Sequence, residues 1–343
     1  MALPSSGQIT LNQVNVELGL SGTAQIGMND AAVRALFGVA SGQITMANGY
    51  GKSSETVLTS AGLVNGQKQR QEITVSSFIS SGGTLRIPSD IWVWSDDTAV
   101  AAMIVDIACT IKIEGKVIGK GGAGGHNPRN PTSGGAAISV TSSGVTIQNL
   151  SGAYIAGGGG GGAFSATSAG SGGGAGGGAG GEHEMNPPTG AGVGGVLNAS
   201  GTNGQGFIYP STSYNPPAGR AGMGGGAGGG GGYYNFQAGY PELGRTFAGG
   251  GGGRILPGTG GAGGSGVSQG GGVGGAGGSG SSAGGNSGNP WGGASYDYGN
   301  GGGGGWGASG GGSGSRSGAS GGAAIASTTS YTLSNSGTVY GAT

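Results

Sequence analysis

The chain has 343 residues, 96 of them glycine, and its 13 basic and 13 acidic residues balance to a net charge of +0. Charge this sparse and even leaves no electrostatic footprint for nucleic acid or an anionic membrane. The single cysteine, Cys109, excludes an intramolecular disulfide framework, and its apolar surroundings read as those of a small buried hydrophobe.

Residues 1–7 carry neither the basic nor the apolar region of a signal peptide. The longest apolar stretch, 99–108, contains Asp106 and is too short to span a bilayer. Synthesis in a cytoplasm, with the product staying soluble or entering a particle, is the expectation. A three-fold repeat then occupies residues 6–53, starting at Gln8-Ile9-Thr10, Gln25-Ile26-Gly27 and Gln43-Ile44-Thr45. Thr10 with Gln13 fits a capping box, and Leu11, Val14 and Leu18 follow helical spacing up to Gly19. Asn29 or Asp30 starts a second helix with Val33, Leu36 and Phe37 on its apolar face and Gly38 at its end. So small a module, 1–53, is expected to dock against something.

Residues 54–155 read as a β-rich region. Segments 72–75, 84–87, 91–94 and 101–113 are rich in β-branched and aromatic residues and are separated by Ser, Gly and Asp turns. A second repeat appears here. Thr110-Ile111-Lys112-Ile113, Thr146-Ile147-Gln148-Asn149 and Tyr331-Thr332-Leu333-Ser334 each lead through a tight turn into a second strand. These are expected to be related strand pairs or solenoid rungs. The last copy, in 324–343, implies a strand that returns to pair near the start of the intervening excursion.

That excursion, 156–323, holds most of the glycine. From Gly258 the other residues fall at Thr259, Ala262 and Ser265, and from Gly270 at Val273, Ala276 and Ser279. A G-G-X period of three is that of an extended left-handed helix with about 3.1 Å rise per residue. Collagen would need abundant proline, and the chain has 12 prolines. The alternatives are a flexible low-complexity tail and a bundle of polyglycine-II helices bonded laterally through their backbones. The interruption of the runs by loops of different composition favours the bundle. Ordering it costs about 1–2 kcal/mol per residue, which hydrogen bonds and close backbone contact must offset because apolar burial is scarce. The expected fold is therefore mostly β and irregular. It has a small N-terminal helical module, a β-rich middle and a C-terminal bundle of polyglycine-II helices.

Chemistry is sparse. The many G-x-G-x-x-G matches lack the strand, helix and acidic residue of a dinucleotide site, and Gly51-Lys52-Ser53 has Met46 where a phosphate loop needs glycine. His126, Glu182, His183 and Glu184 do not have the spacing of a known metal site. No catalytic residue, metal or cofactor is assigned, and an enzyme is not expected. The aromatics are more telling, because they cluster between glycine runs: Phe207, Tyr209 and Tyr214; then Tyr233, Tyr234, Phe236, Tyr240 and Phe247; then Trp291, Tyr296 and Tyr298; and Trp306 alone. Rigid rings among Asn, Ser and Gly are paratope chemistry, with ring capping of the bundle ends as the structural alternative. The candidate binding residues are Tyr209, Tyr214, Tyr233, Tyr234, Phe236, Tyr240, Trp291, Tyr296, Tyr298 and Trp306.

Segment 6–53, with Gln8 to Gly19, Met28 to Arg34 and Tyr50-Gly51-Lys52-Ser53, resembles an N-terminal module of tailed-bacteriophage virion proteins, tail-fibre proteins in particular. The glycine-rich part resembles, in type and composition, the receptor-binding adhesins at the fibre tips of T-even-like phages. Those carry polyglycine-II helices whose loops contact host outer-membrane proteins, and they are separate subunits clipped to a fibre. The resemblance implies a virion tail protein whose residues 1–53 attach to other tail proteins, with Leu11, Val14, Leu18, Val33, Leu36 and Phe37 as candidate attachment residues. Residues 54–155 would form a shoulder, and loops on 156–323 would bind a host outer-membrane protein or surface glycan. The oligomeric state is open between one copy and a homotrimer. A head or collar decoration fibre and a cellular ice- or glycan-binding polyglycine protein are the alternatives.

Overall fold

A computed structural model describes residues 3–126, 129–164, 172–179, 193–201, 252–256, 260, 282–284, 301–313 and 316–343. The N-terminal segment is built from the repeat. Helix α1 (Leu11–Glu17) begins at Thr10 in a complete capping box: the Gln13 N–H donates to Thr10 Oγ1, and the Thr10 N–H donates to Gln13 Oε1 at 2.8 Å. Helix α2 (Ala31–Phe37) ends on Gly38 with φ +71°, a left-handed conformation that glycine adopts without strain. Asp30 precedes α2 but does not cap it, and its carboxylate accepts from the Gly27 N–H instead. The third copy enters a short 3-10 turn, Met46–Gly49. Leu3, Ile9, Val14, Val33, Leu36 and Phe37 form the small core of this segment.

From Glu55 the chain winds as a parallel β-solenoid. The first rung holds β1 (Glu55–Val57), β3 (Gln67–Gln71) and β4 (Ile73–Thr74), with β2 (Leu63–Val64) paired antiparallel to β3. The second holds β5 (Thr84–Ile87), β6 (Ile91–Trp94) and β7 (Met103–Val105). The third holds β8 (Thr110–Ile113), β9 (Lys116–Ile118) and β10 (Ile138–Val140). The fourth holds β11 (Val145–Asn149), β12 (Tyr154–Ala156) and β13 (Ile325–Ser327), and the fifth β14 (Tyr331–Asn335) and β15 (Thr338–Tyr340). Equivalent strands stack into three sheets, β1-β5-β8-β11-β14, β2-β3-β6-β9-β12-β15 and β4-β7-β10-β13.

The sequence repeat is the register of this stack, since Thr110, Thr146 and Thr332 occupy one position on adjacent strands. Aliphatic ladders run up the interior: Leu85, Ile111, Ile147 and Leu333 in one sheet, Val93, Val117, Ile155 and Val339 in the next, and Ile73, Met103, Ile138 and Ile325 in the third. Each fully buried member contributes roughly 1.5–3 kcal/mol of hydrophobic stabilisation. At the first rung Arg70 stands where Val93 stands in the second. It closes the ladder with its guanidinium 5.3 Å from the Phe78 ring and its Nε donating to the Thr59 carbonyl. The segment expected as one β stretch over 101–113 is two strands, because the chain turns a corner of the solenoid between β7 and β8. Asp106 at that corner accepts from the N–H and hydroxyl of Ser76.

The long insertions all enter at one corner, between the second and third sheets. Successive rungs insert residues 95–102, 119–137 and 157–324 between the strands of their second and third sheets. Inside the insertions, segment 157–163 is fully buried and its backbone bonds follow a period of three. The N–H groups of Gly158 and Gly161 donate to Gly135 and Thr132, those of Gly159 and Gly162 to Ala175 and Gly172, and those of Gly160 and Ala163 to Ala308 and Gly311. The carbonyls of the same segment accept from Gly122 and Gly125, from Gly301 and Gly304, and from Ala319 and Gly322. Neighbours on all sides therefore satisfy a buried backbone that has no sheet or helix of its own. A Cβ on Gly158, Gly159, Gly160, Gly161 or Gly162 would overlap a carbonyl oxygen of Lys120, Gly304, Ala319, Ala123 or Gly301, respectively. Glycine is here a packing requirement.

Candidate functional site

The insertions are seated on the solenoid by a small apolar cluster and one buried arginine. Trp92, Trp94 and Ile118 face outward from the second sheet and pack with Ala156, Ala175, Leu197 and Trp306. Trp306 was expected at a binding surface. It is fully buried in this seat instead, and its Nε1 donates to the Ile255 carbonyl at 2.9 Å. A ring in a glycine run has no side-chain neighbours nearby in sequence, so nothing local shows that the solenoid covers it.

Arg254 lies over Trp94, 4.6 Å from the ring centroid, and is 2% exposed. Its Nε donates to the Gly176 carbonyl, and Nη2 donates to the Ser95 carbonyl at 3.2 Å and to Asp96 Oδ1 at 2.6 Å. The same Asp96 oxygen accepts from Lys120 Nζ at 2.6 Å. Burial alone would raise the Asp96 carboxyl, but the hydrogen bonds from Lys120 and Arg254 outweigh it and hold the group below its ordinary value. Burial, and then the Arg254 charge, pull Lys120 down, against the opposing pull of Asp96. Three insertions thus meet at one carboxylate: Asp96 comes from the second rung, Lys120 from the third and Arg254 from the fourth. A cavity of about 490 Å³ opens beside this triad, with Asp97, Thr98, Thr132, Val193 and Val196 in its wall.

The other end of segment 157–163 leads to Phe164, which is 1% exposed. Two tight turns flank it, one closed by a bridge between His126 and Arg129 and the other by a bridge between Ser313 and Arg316. The Arg316 guanidinium lies 4.0 Å from the Phe164 ring centroid. A Cβ on Gly125 would sit 2.9 Å from Phe164 Cδ1 and 2.8 Å from Pro131 Cδ, so the first turn abuts the same ring.

Tyr209, Tyr214, Tyr233, Tyr234, Phe236, Tyr240, Trp291, Tyr296 and Tyr298 lie outside the described residues. The candidate attachment residues are a second correction. Val14, Val33, Leu36 and Phe37 are buried in the core of their own segment, with Leu18 packed against it. Only Leu11, 41% exposed, faces outward, and it is joined on this segment by Val16, Leu20 and Tyr50. Helical periodicity finds the face that builds the core, and a docking face is what remains outside it. The arginine turns and the Arg254 anchor were not singled out from the sequence. For Arg254 the available signal was a lone charge directly after a glycine run.

The architecture is that of a scaffold which carries a glycine-rich projection on a stiff β-stack. The family model of the phage tail fibre adhesin Gp38 matches residues 52–246. The chain belongs to that family: it is an adhesin of the phage tail fibre, and its place is the virion tail rather than a head or collar fibre. None of the curated proteins shows a match. Among solved structures, the gp37–gp38 adhesin tip complex of the bacteriophage S16 long tail fibre is similar at 16% identity and a TM-score of 0.40, over 98% of this chain and 99% of that one.

Proposed function

We propose that this adhesin binds a host outer-membrane protein or surface glycan through loops carried on a bundle of polyglycine-II helices spanning residues 156–323. The observation that supports the reading is the three-way alternation of backbone bonds around segment 157–163, the lateral pattern a three-residue helical period demands. Such a scaffold depends on backbone alone, so loops between its helices can vary without disturbing it. Tyr209, Tyr214, Tyr233, Tyr234, Phe236, Tyr240, Trp291, Tyr296 and Tyr298 would supply large, rigid contact area, multiplied by several fibres per particle. Catalysis has no part in this reading.

Residues 1–53 would hold the adhesin to other tail proteins, and the exposed Leu11, Val16, Leu20 and Tyr50 are better placed for that than the buried residues of the same segment. Exchanging residues 207–247 for those of an adhesin with a different host range tests the receptor reading. Adsorption is expected to follow the exchanged loop, and an unchanged host range sinks the proposal. Leu11→Asp with Val16→Asp should release the adhesin from particles while leaving the purified protein folded.

A further inference from the structure

Among the described residues of the two glycine-rich insertions, 119–137 and 157–324, Lys, Arg, Asp and Glu are represented only by cations: Lys120, Arg129, Arg254 and Arg316. Lys120 and Arg254 are paired with Asp96 at the seat. Arg129 and Arg316 are at the other end, exposed, with no ion pair among the described residues. Both sit on turns held by backbone bonds: His126 N–H donates to the Arg129 carbonyl at 2.8 Å, and Arg316 and Ser313 exchange bonds of 3.0 and 2.9 Å. Phe164 lies between the turns and supports the flat face of the Arg316 guanidinium. A guanidinium held by its face keeps its N–H edge open to an anion, in the fork that matches a phosphate. The triad at the seat shows the opposite treatment, with both cations there paired to Asp96.

We propose that Arg129 and Arg316 form an anion-binding pair that takes phosphate groups of a host surface glycan. The proposal rests on the proposed function, in which the glycine-rich region 156–323, where Arg316 lies, meets the host surface. Two guanidinium groups carried on turns recognise charge in the first place. That suits a dense, mobile and highly charged polymer better than a single folded protein loop. Each contact is weak because it is exposed and screened, and a repeating phosphate surface multiplies it.

The test uses the whole chain and lipopolysaccharide purified from the host strain, intact or enzymatically dephosphorylated, immobilised on a sensor surface. Wild type should bind the dephosphorylated form about tenfold more weakly. The double variant Arg129→Gln/Arg316→Gln should bind the intact form that weakly, with an unchanged melting temperature, and should lose most of the salt dependence of binding. Equal binding of wild type and variant to intact lipopolysaccharide overturns the proposal, as does indifference of wild type to phosphate removal. Adsorption of both proteins to whole cells in that case leaves the adhesin reading standing. Wild type that adsorbs to neither cells nor lipopolysaccharide overturns both.

Discussion

The solenoid and the glycine insertion are two cores in one chain, built on opposite rules. In the solenoid, backbone bonds run along the stack and the interior is filled by side chains such as Leu85, Ile111 and Ile147. In the insertion the interior of segment 157–163 is backbone on every side. A side-chain core has volume that can be traded between neighbours, whereas a backbone core has none to trade. The first should tolerate graded change and the second should not.

The sharpest way to break this comparison is Gly161→Val. Its Cβ would overlap the Ala123 carbonyl oxygen, which belongs to backbone and cannot rotate away. The expected cost exceeds about 3 kcal/mol, the upper end of ordinary overpacking. Thermal unfolding should show a large loss, and even Gly161→Ala should follow it. In the solenoid, Ile111→Ala should cost about 2–5 kcal/mol and Ile147→Val only about 0.5–1.5 kcal/mol, although both positions are fully buried. A Gly161→Ala variant as stable as Ile147→Val would dissolve the distinction between the two cores.

The join between the cores comes next. Arg254→Met keeps a side chain over Trp94 but removes the donors to Gly176, Ser95 and Asp96. The two carbonyls lose a partner, and Asp96 keeps Lys120. A loss of about 2 kcal/mol is expected, discounted because Asp96 is half exposed. Chemical denaturation should then separate into two transitions if the arginine couples the cores.

What could be read without coordinates follows from the same contrast. Periodic features were legible: the copies at Thr110, Thr146 and Thr332 are the strand register, and the Thr10–Gln13 capping box is present as spelled. Contacts between distant segments were not. Gly121-Gly122-Ala123-Gly124-Gly125 offers too few triplets to declare a period, yet it supplies bonds to Gly159 and Gly162 inside the glycine core. Trp306 looked exposed because bare glycine flanks it, and only the meeting with Trp92 and Trp94, remote in sequence, buries it. The attachment candidates of residues 1–53 fall in a core for a related reason: amphipathic spacing reports Val14 and Val33, which the segment buries within itself.

The smallest expected effect concerns acid. Burial would raise the Glu17 carboxyl, but the Ser54 N–H and Ser53 hydroxyl, each at 2.9 Å, hold it below its ordinary value, and Asp96 is held down at the other join. A carboxyl with a depressed folded-state pKa binds fewer protons in the native state than in the unfolded one. Its contribution is therefore complete above the unfolded value and is lost as pH falls through the folded one. The melting temperature should be flat above about pH 5 and fall below about pH 4, the ordinary carboxylate range. The two joins can then be told apart. Glu17→Gln should flatten only the acid response of the N-terminal segment, and Asp96→Asn only that of the seat between the cores. Protection of amide hydrogens at Val14 and at Gly159 reports the two places separately, and loss of protection at both in either variant would mean that the segments unfold as one unit.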